Sequence, residues 1–536
     1  MIYCKTLVQI KDFLYLCTIL PKKQFSNPMP TLSKSKYTTA CQCLKALWLR
    51  TYKKEVETID VSLQTRLAAG NEVGNLAKSL FGDFVDTTSH KADGSLDISA
   101  MITKTKQFMA DGCKVICEAA FSCPNHYCAV DLLRKTPNGW AIYEVKSTTS
   151  KAGAPLDEKK FSKYATDIAY QRWVIEQCGV MVTGTYLVTL NSDYVLEGEL
   201  NIHQLFNIID LNPLVENEYL KVPNQTKLAL AALNPTNEPI IDLSANCKSP
   251  DSCSFWEYCT KHLPNPSIFD VYGSGCRFDK KLKFYQEGKW SFEDLAQGAI
   301  GNIPDLQIRC TLNNTDYINP DGIKDFLDKI TYPLYFLDFE SMQPVLPQYD
   351  GTRPYMQICF QYSLHYIEHE GGKLKHTAFL AESNGQDPRR ALAEALCRDI
   401  PRNVCTMAYN DNFEKTRIKE MAEAYPDLAD HLMNIHDHII DLLVPFRAGH
   451  YYRPAMGGSF SIKSVLPALF PDDPEMDYHN LPGKVHNGGD AMTIFPQIKD
   501  MSPEEALQAR KDLLAYCHLD TLAMVRVWEK LMEVAK

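Results

Sequence analysis

Two carboxylates and a lysine lie close together within residues 126–147, which read HYCAVDLLRKTPNGWAIYEVKS. Apolar runs on either side of the turn-forming Pro-Asn-Gly predict a hairpin. Asp131 lies on the first strand, and Glu144 and Lys146 share one face of the second. Carboxylates bind Mg²⁺, which activates water and neutralises phosphate charge, and a lysine stabilises developing charge. This chemistry suits phosphodiester hydrolysis, and a cross-strand salt bridge on an amphipathic hairpin is the structural alternative.

A second acidic group follows residue 330. The run YPLYFLDFE predicts an apolar strand whose end carries Asp338 and Glu340 on one face. Tyr516 and Asp520 are spaced to share a face of a predicted C-terminal helix. Buried acids are unfavourable unless a cation neutralises them, so a meeting of this strand and helix would create a divalent-metal site. A solvent-exposed strand end is the alternative for the strand fragment.

Several polar residues between these two motifs are further candidates. Glu414 follows Tyr409-Asn410-Asp411-Asn412-Phe413 at the start of a helical stretch. Asp441 ends another predicted strand and is either structural or a substitute metal ligand. Ser461 and Lys463 either contact a substrate phosphate or lie in a solvated loop.

Three cysteines with six-residue spacing, Cys247, Cys253 and Cys259, form a local concentration, and Cys43 or Cys41 lies far upstream. Zinc sites usually contain pairs separated by two to four residues, so this spacing fits zinc poorly, and the absence of any metal is the other alternative. The remaining cysteines are scattered in apolar contexts. Such free thiols are typical of a reducing compartment, which predicts a cytoplasmic protein.

Composition and charge limit the class of protein. The chain has 536 residues, of which 45% are hydrophobic and 23% charged, a balance typical of two to four globular domains. No run approaches the roughly 18–20 apolar residues of a membrane span. The net charge of −10 argues mildly against nucleic-acid binding, which would then require a locally basic groove.

The pattern of elements predicts a mixed α/β protein with four regions. Residues 1–29 form an extension, for which a signal peptide or a start at Met29 are alternatives. Residues 30–265 contain the hairpin and the cysteines, and residues 266–330 predict a helical connector. Residues 331–536 alternate strands and helices and end in a long helix.

The first constellation, Asp131…Glu144-Val-Lys146 followed by Gln171 at the opening of a helix, resembles the PD-(D/E)xK superfamily in its RecB-like form over about residues 30–265. The resemblance implies a restriction-endonuclease-like core in which Asp131 and Glu144 hold a metal ion and Lys146 and Gln171 assist catalysis. Gly74 occupies the position where such enzymes often have a metal-binding histidine, so Glu72 or Glu118 would have to replace it.

One early and three late cysteines resemble the iron–sulfur clasp of RecB-like nucleases. The resemblance implies that Cys43, Cys247, Cys253 and Cys259 bind a [4Fe–4S] cluster. Cys43 fits the family's position better than Cys41 does.

The acids of the second constellation resemble those of DEDD exonucleases with a ribonuclease H-like fold, in the tyrosine subtype. The resemblance implies that Asp338, Glu340, Glu414 and Asp520 hold two Mg²⁺ or Mn²⁺ ions, that Tyr516 orients the attacking water, and that hydrolysis runs 3′ to 5′. The domain would be a mixed sheet flanked by helices. Glu414 stands where this family normally has aspartate.

The combination of both modules resembles an uncharacterised bacterial family defined only by a domain of unknown function. It implies a nuclease that acts on DNA, with RNA as the alternative substrate, and no membrane association. Two other hypotheses remain open: a nucleic-acid-binding iron–sulfur scaffold with one or both sites inactive, and an iron–sulfur protein of another function.

Overall fold

The computed structural model describes residues 31–58, 63–233, 237–273, 275–296, 298 and 300–536. The predicted extension at residues 1–29 lies outside these residues. The chain is a mixed α/β protein with several sheets, as the sequence predicts.

Fourteen strands are found in the described residues, in three sheets. In chain order they are β1 (Leu32–Ser33), β2 (Val85–Asp86), β3 (Val115–Cys123), β4 (His126–Thr136), β5 (Gly139–Ser150), β6 (Val182–Asn191), β7 (Phe206–Asp210), β8 (Tyr317–Ile318), β9 (Leu334–Met342), β10 (Ile358–Ile367), β11 (Lys375–Leu380), β12 (Cys405–Ala408), β13 (Ile439–Asp441) and β14 (Tyr451–Tyr452).

The α-helices connect and cover these sheets. In chain order they are α1 (Lys34–Gln42), α2 (Leu44–Tyr52), α3 (Leu63–Ala77), α4 (Ile98–Ala110), α5 (Glu158–Gln177), α6 (Ile202–Leu205), α7 (Asn212–Tyr219), α8 (Val222–Leu233), α9 (Trp256–Thr260), α10 (Phe278–Gln286), α11 (Asn302–Asn313), α12 (Pro320–Leu327), α13 (Arg389–Asp399), α14 (Asn412–Ala424), α15 (Ala429–Asp437), α16 (Val444–Arg447), α17 (Ile462–Leu469), α18 (Gly488–Ile494) and α19 (Pro503–Val534).

The first sheet has seven strands in the order β2-β3-β4-β5-β6-β7, with β1 pairing with β4. The predicted hairpin is confirmed, because β4 and β5 pair antiparallel from Leu132–Tyr143 to the turn at Thr136–Gly139. Apolar side chains of β3 to β6 alternate between two cores, one under α1 and α5 and one under α3. Both faces of the sheet are therefore buried.

The helix that carries Gln171 begins earlier than the sequence analysis expects. Helix α5 starts at Glu158, where the side chain of Asp157 accepts a hydrogen bond from the Lys160 amide and so caps the helix. Asp167 therefore lies within the helix and one turn before Gln171, rather than at its opening. The capping signal at Asp157 is what the sequence interpretation missed.

The second sheet has five strands in the order β11-β10-β9-β12-β13. Strand β9 pairs antiparallel with β10 and parallel with β12, so the sheet is mixed and β9 is central. Helix α19 packs on one face with a large apolar core, and helices α13 to α15 cover the other. Strand β11 was not expected, because its sequence KHTAFL is short and has three polar residues followed by three apolar ones instead of an alternating pattern.

The connector helices join the two halves of the chain. Ile308 of α11 packs in the core near Cys247 and Cys259, whereas Leu306 and Cys310 on the same helix pack in the core around α19. The halves also touch directly beyond β9, where Val345 joins the core formed by Tyr194 and Leu196. Backbone hydrogen bonds connect Leu196 with Gly351 and Thr352 at 2.8 and 3.0 Å. Among the helices described, none is long and apolar enough to cross a membrane.

Candidate active sites and the cysteine cluster

The acids of β9 point toward the long C-terminal helix. The strand alternates, so Tyr335, Leu337 and Phe339 enter one core while Phe336 faces the core of α19. Asp338 and Glu340 share the face of Phe336 and lie opposite Ser363 and Gln361 of β10. The predicted strand and its orientation are confirmed, and Glu340 is buried rather than at an exposed strand end.

Helix α19 brings the remaining predicted residues to the same place. The helix spans 32 residues and begins with a capping box between Ser502 and Glu505, with Pro503 at its first position. Tyr516 and Asp520 lie on its buried face, and Tyr478 donates a hydrogen bond of 2.7 Å to Asp520 Oδ1. Ligand atoms of Asp338, Glu340 and Cys517 all lie within 4.8 Å of one another.

The electrostatics of this acid cluster oppose ionisation. Burial and the neighbouring charge of Asp520 raise the pKa values of Asp338 and Glu340 well above their usual range. Burial raises the pKa of Asp520 to about 6. The charge of Lys463 lowers the pKa values of all three acids. Among the described residues, however, Lys463 Nζ forms no ion pair with these carboxylates. It lies 5.4 and 5.6 Å from the ring centres of Tyr478 and Tyr516. The acids thus gather without a matching set of cationic side chains.

Glu414 lies at the margin of this cluster. It is buried in the first turn of α14, and its Oε2 has no hydrogen-bond partner within the described part of the chain. Burial raises the pKa of Glu414 to about 8, helped by Asp411 and Asp441, and its charge adds to the repulsion on Asp338. A buried carboxylate oxygen without a partner is a position where a cation would be stabilising.

The other polar residues of this half take different roles. Asp441 Oδ1 accepts hydrogen bonds from the amides of Asn410 and Leu443, and Oδ2 pairs with Arg447 at 2.6 Å. Both carboxylate oxygens therefore have partners within the protein, which favours the structural role over that of a substitute metal ligand. Ser461 stands at the N-terminal cap position of α17, and Lys463 lies in its first turn. Of the two alternatives for this segment, the solvated loop is not found, because the segment is the start of a helix.

In the first half, Asp131 and Glu144 lie on the two strands of the hairpin, each one residue beyond the last pair of the ladder, Leu132 and Tyr143. Asp131 Oδ2 accepts the Val145 amide at 2.7 Å. Glu144 is 0% exposed. Its carboxylate accepts hydrogen bonds from Lys146, from Gln171 Nε2 at 2.7 Å and from Lys34 Nζ at 2.9 Å. The four predicted residues of this constellation are close together.

Two residues that the sequence analysis did not single out complete this group. Asp167 Oδ2 lies 3.5 Å from Lys146 Nζ and 3.9 Å from Lys34 Nζ. Asp167 could have been found, because it precedes Gln171 by one helical turn and so shares its face. Lys34 comes from the start of α1, and no local pattern connects it to the hairpin.

Charge is distributed unevenly in this first group. Burial alone would raise the pKa of Glu144, but Lys146 and Lys34 outweigh it and hold the pKa well below its usual range. Burial, then repulsion from Glu144, raises the pKa of Asp167 to about 6. Glu118 has a left-handed backbone with φ of 54°, and burial and Asp131 raise its pKa to about 7. Glu118 is thus a neighbour of Asp131, whereas Glu72 is exposed and shows no such interaction.

The four predicted cysteines lie together in space. Cys43, Cys253 and Cys259 pack around Phe255, and Cys247 packs beside Cys259. Burial raises the pKa of the Cys259 thiol to about 11, and the other three cysteines contribute to the rise. Cys41 lies elsewhere, beside Tyr37, and burial raises the pKa of its thiol to about 11, an effect that a hydrogen bond with the Tyr37 side chain opposes. Cys43 rather than Cys41 therefore accompanies the three late cysteines.

The segment that carries the late cysteines is tied to the end of α1. Gln42 Nε2 donates to the carbonyls of Asn246 and Asp251 at 2.8 and 2.7 Å, and the Asn246 side chain donates back to the Gln42 carbonyl. The Cys253 amide donates to the Cys247 carbonyl at 2.9 Å. Residues about 200 positions apart in the sequence are thereby fixed beside one another.

A cleft of about 1480 Å³ lies beside both features. Lys146 and Asp167 of the first acidic group line it, and so do Cys253 and Phe255 of the cysteine segment. Arg50, Lys163 and Lys221 add positive charge, although each is paired with a carboxylate. The volume of the cleft exceeds the roughly 300–1,000 Å³ that is typical of small-molecule sites.

Comparison with known proteins connects the second half of the chain to a described domain. A family model described as a domain of unknown function (DUF2779) matches residues 335–461. A protein from Ureaplasma parvum serovar 3, named uncharacterized protein UU173, is 26% identical over 243 residues, which is 40% of this chain and 33% of that protein. The match thus spans about a third of the relative's length. The chain is similar to the domain of unknown function across the segment that contains Asp338, Glu340 and Glu414.

Proposed function

We propose that this protein is a metal-dependent nuclease whose C-terminal acid cluster hydrolyses DNA from the 3′ end. One observation carries the proposal: Asp338, Glu340 and Asp520 are buried together with raised pKa values and without an ion pair in the described residues. Such a group is tolerable only when protons or cations neutralise it. The mixed sheet and flanking helices are those that the resemblance to ribonuclease H-like exonucleases implies.

The donor set fits hard divalent cations. Carboxylate oxygens of Asp338, Glu340, Glu414 and Asp520 are the ligands that Mg²⁺ and Mn²⁺ prefer. When bound, such ions lower the pKa of water and neutralise the phosphate. Tyr516 shares a helix face with Asp520 and would orient the attacking water, while Tyr478 fixes the Asp520 carboxylate by its hydrogen bond. Lys463, with its exposed ammonium beside both tyrosines, would contact a substrate phosphate.

The N-terminal group is proposed as a RecB-like nuclease site, with a scaffold role as the second candidate. Asp131 and Glu118 are close enough to interact and would supply oxygen ligands. The second candidate is favoured by Glu144, whose carboxylate is already satisfied by Lys34, Lys146 and Gln171. A cation would have to displace at least one lysine, so this site has less need of a metal than the C-terminal cluster has.

We further propose that Cys43, Cys247, Cys253 and Cys259 bind a [4Fe–4S] cluster. Four thiols of one region are the donors that such a cluster requires. A single tetrahedral zinc ion would hold its sulfur atoms about 3.8 Å apart, given zinc–sulfur bonds of about 2.3 Å. Within the described chain, the groups of three or more candidate ligand atoms that lie within 4.8 Å of one another contain none of these cysteines. The wider arrangement suits a cluster better than one ion.

The test is digestion of oligonucleotides labelled at the 3′ or 5′ end by the full-length protein with Mg²⁺ or Mn²⁺. Single-stranded and double-stranded DNA and single-stranded RNA should be compared. Asp338→Asn/Glu340→Gln should abolish stepwise shortening from the 3′ end, and Asp437→Asn, a substitution at an exposed acid of α15, should leave it intact.

Two further outcomes assign the chemistry. Loss of cleavage only in Glu144→Ala/Lys146→Ala would move the activity to the N-terminal site and favour a non-catalytic C-terminal cluster. If the unmodified protein shortens none of the substrates with either metal, the nuclease proposal is wrong.

A further inference from the structure

Three histidines meet on the outer part of the second sheet, outside the acid cluster. His365 of β10 lies directly opposite His376 of β11, and His518 of α19 packs onto both. The ring centres are 4.5 to 4.7 Å apart. One ring nitrogen from each residue can be chosen so that all three lie within 4.8 Å of one another.

Hydroxyl groups beneath the rings fix the orientation of two of them. His365 Nδ1 is 2.7 Å from Thr521 Oγ1, and His376 Nε2 is 2.9 Å from Ser363 Oγ. The two hydroxyls are in turn 2.7 Å apart. Outer hydrogen bonds of this kind hold metal-binding imidazoles in one tautomer and one orientation. Each of the two rings keeps a second nitrogen without a hydrogen-bond partner in the described residues.

Ion pairing does not explain this group. In the described chain the histidine–carboxylate pairs involve His436 and His479, not these three residues. Neutral imidazole nitrogens are the form of histidine that binds metal. His365 is buried, whereas His376 is exposed, so an ion can enter from the solvent side.

We propose that His365, His376 and His518 form a transition-metal site that takes a divalent ion of the Zn²⁺ class and leaves one coordination position open to solvent. Imidazole nitrogens select such ions over Mg²⁺, which prefers oxygen. Three histidines and one exchangeable position are a frequent zinc arrangement. The site is separate from the acid cluster, although Ser363 lies opposite Asp338 on the neighbouring strand.

The experiment measures zinc binding by the full-length protein in excess Mg²⁺, with X-ray absorption at the zinc edge. The Asp338→Asn/Glu340→Gln protein serves as the background, which removes two of the four carboxylates of the acid cluster, and the excess Mg²⁺ competes for the other two. We expect one zinc ion per chain with outer-shell scattering from imidazole. His376→Ala, a change on an exposed strand position, should weaken that binding by about 100-fold or more, since even outer-shell changes weaken metal binding by 10–100-fold.

Two matched variants sharpen the test. His369→Ala, at an exposed histidine in the turn after β10, should bind zinc like its background. Thr521→Val removes the hydroxyl that orients His365 and should weaken binding by about 10–100-fold without a change in stoichiometry. Equal zinc content in the His376→Ala protein and its background, or zinc surrounded by sulfur alone, would overturn the proposal.

Discussion

Single residues of the acid cluster connect metal binding to the pH dependence of stability. Folding raises the pKa of Asp520 to about 6 and that of Glu414 to about 8, from unfolded values near 4. The folded state then binds more protons than the unfolded state, so the free energy of unfolding falls as pH rises through this range. In EDTA, we expect a loss of about 2 kcal/mol from Asp520 alone between pH 4 and 7. Thermal unfolding at several pH values measures it.

The acid-cluster variant separates this effect from other groups. Asp167 and Glu118 also have raised pKa values, so only the difference between proteins is diagnostic. Asp338→Asn/Glu340→Gln should be more stable than the unmodified protein in EDTA above pH 6, because the repulsion is removed. Mg²⁺ should reduce this difference in the free energy of unfolding, because the ion neutralises the acids in place of protons. A difference that does not change with pH or Mg²⁺ would contradict the assignment of these residues as metal ligands.

Lys34 gives a second prediction for an individual residue. Its Nζ pairs with the fully buried Glu144, which would lose one of three hydrogen-bond donors in Lys34→Met. We expect a loss of about 1–3 kcal/mol in the free energy of unfolding, because a buried carboxylate is left partly unpaired. Lys36→Met is the matched control, since the Lys36 side chain donates from Nζ to the Thr31 carbonyl and, in the described residues, pairs with no carboxylate. Equal stability of the two variants in urea would show that Lys34 does not support the site.

These residues also show which contacts a local sequence pattern can predict and which it cannot. Glu144 and Lys146 share a strand face, and Tyr516 and Asp520 share a helix face, so their spacing suffices to predict each pair. Lys34 and the three histidines are brought together by tertiary packing from separate elements. Their local sequences contain no periodicity that connects them, and the sequence analysis missed them for that reason.

The loop that contains Gly483 packs closely against helix α19. Gly483 has φ of +91°, and a Cβ there would clash with the Asp512 carboxylate of α19. Asp512 is held by the Lys484 amide and Gln508, so it has little freedom to move away. Gly483→Ala should reduce the free energy of unfolding by about 3 kcal/mol or more, from the backbone strain and the overpacking together.

The control for this substitution is Gly371→Ala. Gly371 has φ of +71° but nothing within 4 Å of the added Cβ, so only the backbone strain of about 1 kcal/mol should appear. Chemical denaturation of both variants isolates the clash. The two losses would be equal if the loop were not pressed against α19.

The junction of α1 and α2 supplies a prediction about the cysteine segment. Cys43 lies with the late cysteines, while two residues earlier Cys41 packs against Tyr37. Cys43→Ala should remove the iron and acid-labile sulfide of the purified protein, and Cys41→Ala should retain both. Full iron content in the Cys43→Ala protein would show that the cluster, if present, uses another ligand.

Elements differ in how well local sequence determines them. The β4–β5 hairpin, strand β9 and helix α19 have long, regular apolar patterns and were predicted correctly. Strand β11 is short and only half apolar, and it forms because β10 provides its hydrogen-bonding edge. The start of α5 was placed too late, since its cap at Asp157 lies in a stretch without apolar periodicity.

At the scale of the whole molecule, the two halves are predicted to unfold together. Val345 is buried against Tyr194 and Leu196, and backbone hydrogen bonds connect the same segments. Val345→Asp would bury an unpaired charge there and should separate calorimetric unfolding into two transitions. Leu374→Asp, at an exposed position of the second half, should leave the profile unchanged. An unaltered profile in the Val345→Asp protein would mean that the contact adds no cooperativity.

The contact at Val345 also affects how this chain can be divided. Strand β9 ends at Met342, and the apolar side chains of Val345, Leu346 and Tyr355 lie in the segment between this acid-bearing strand and β10. Any truncated product that retains this strand without the first half would present them to water. Recombinant fragments of the C-terminal half should therefore self-associate or recruit chaperones, and replacing these three side chains with polar ones is the rational first step toward a monomeric fragment.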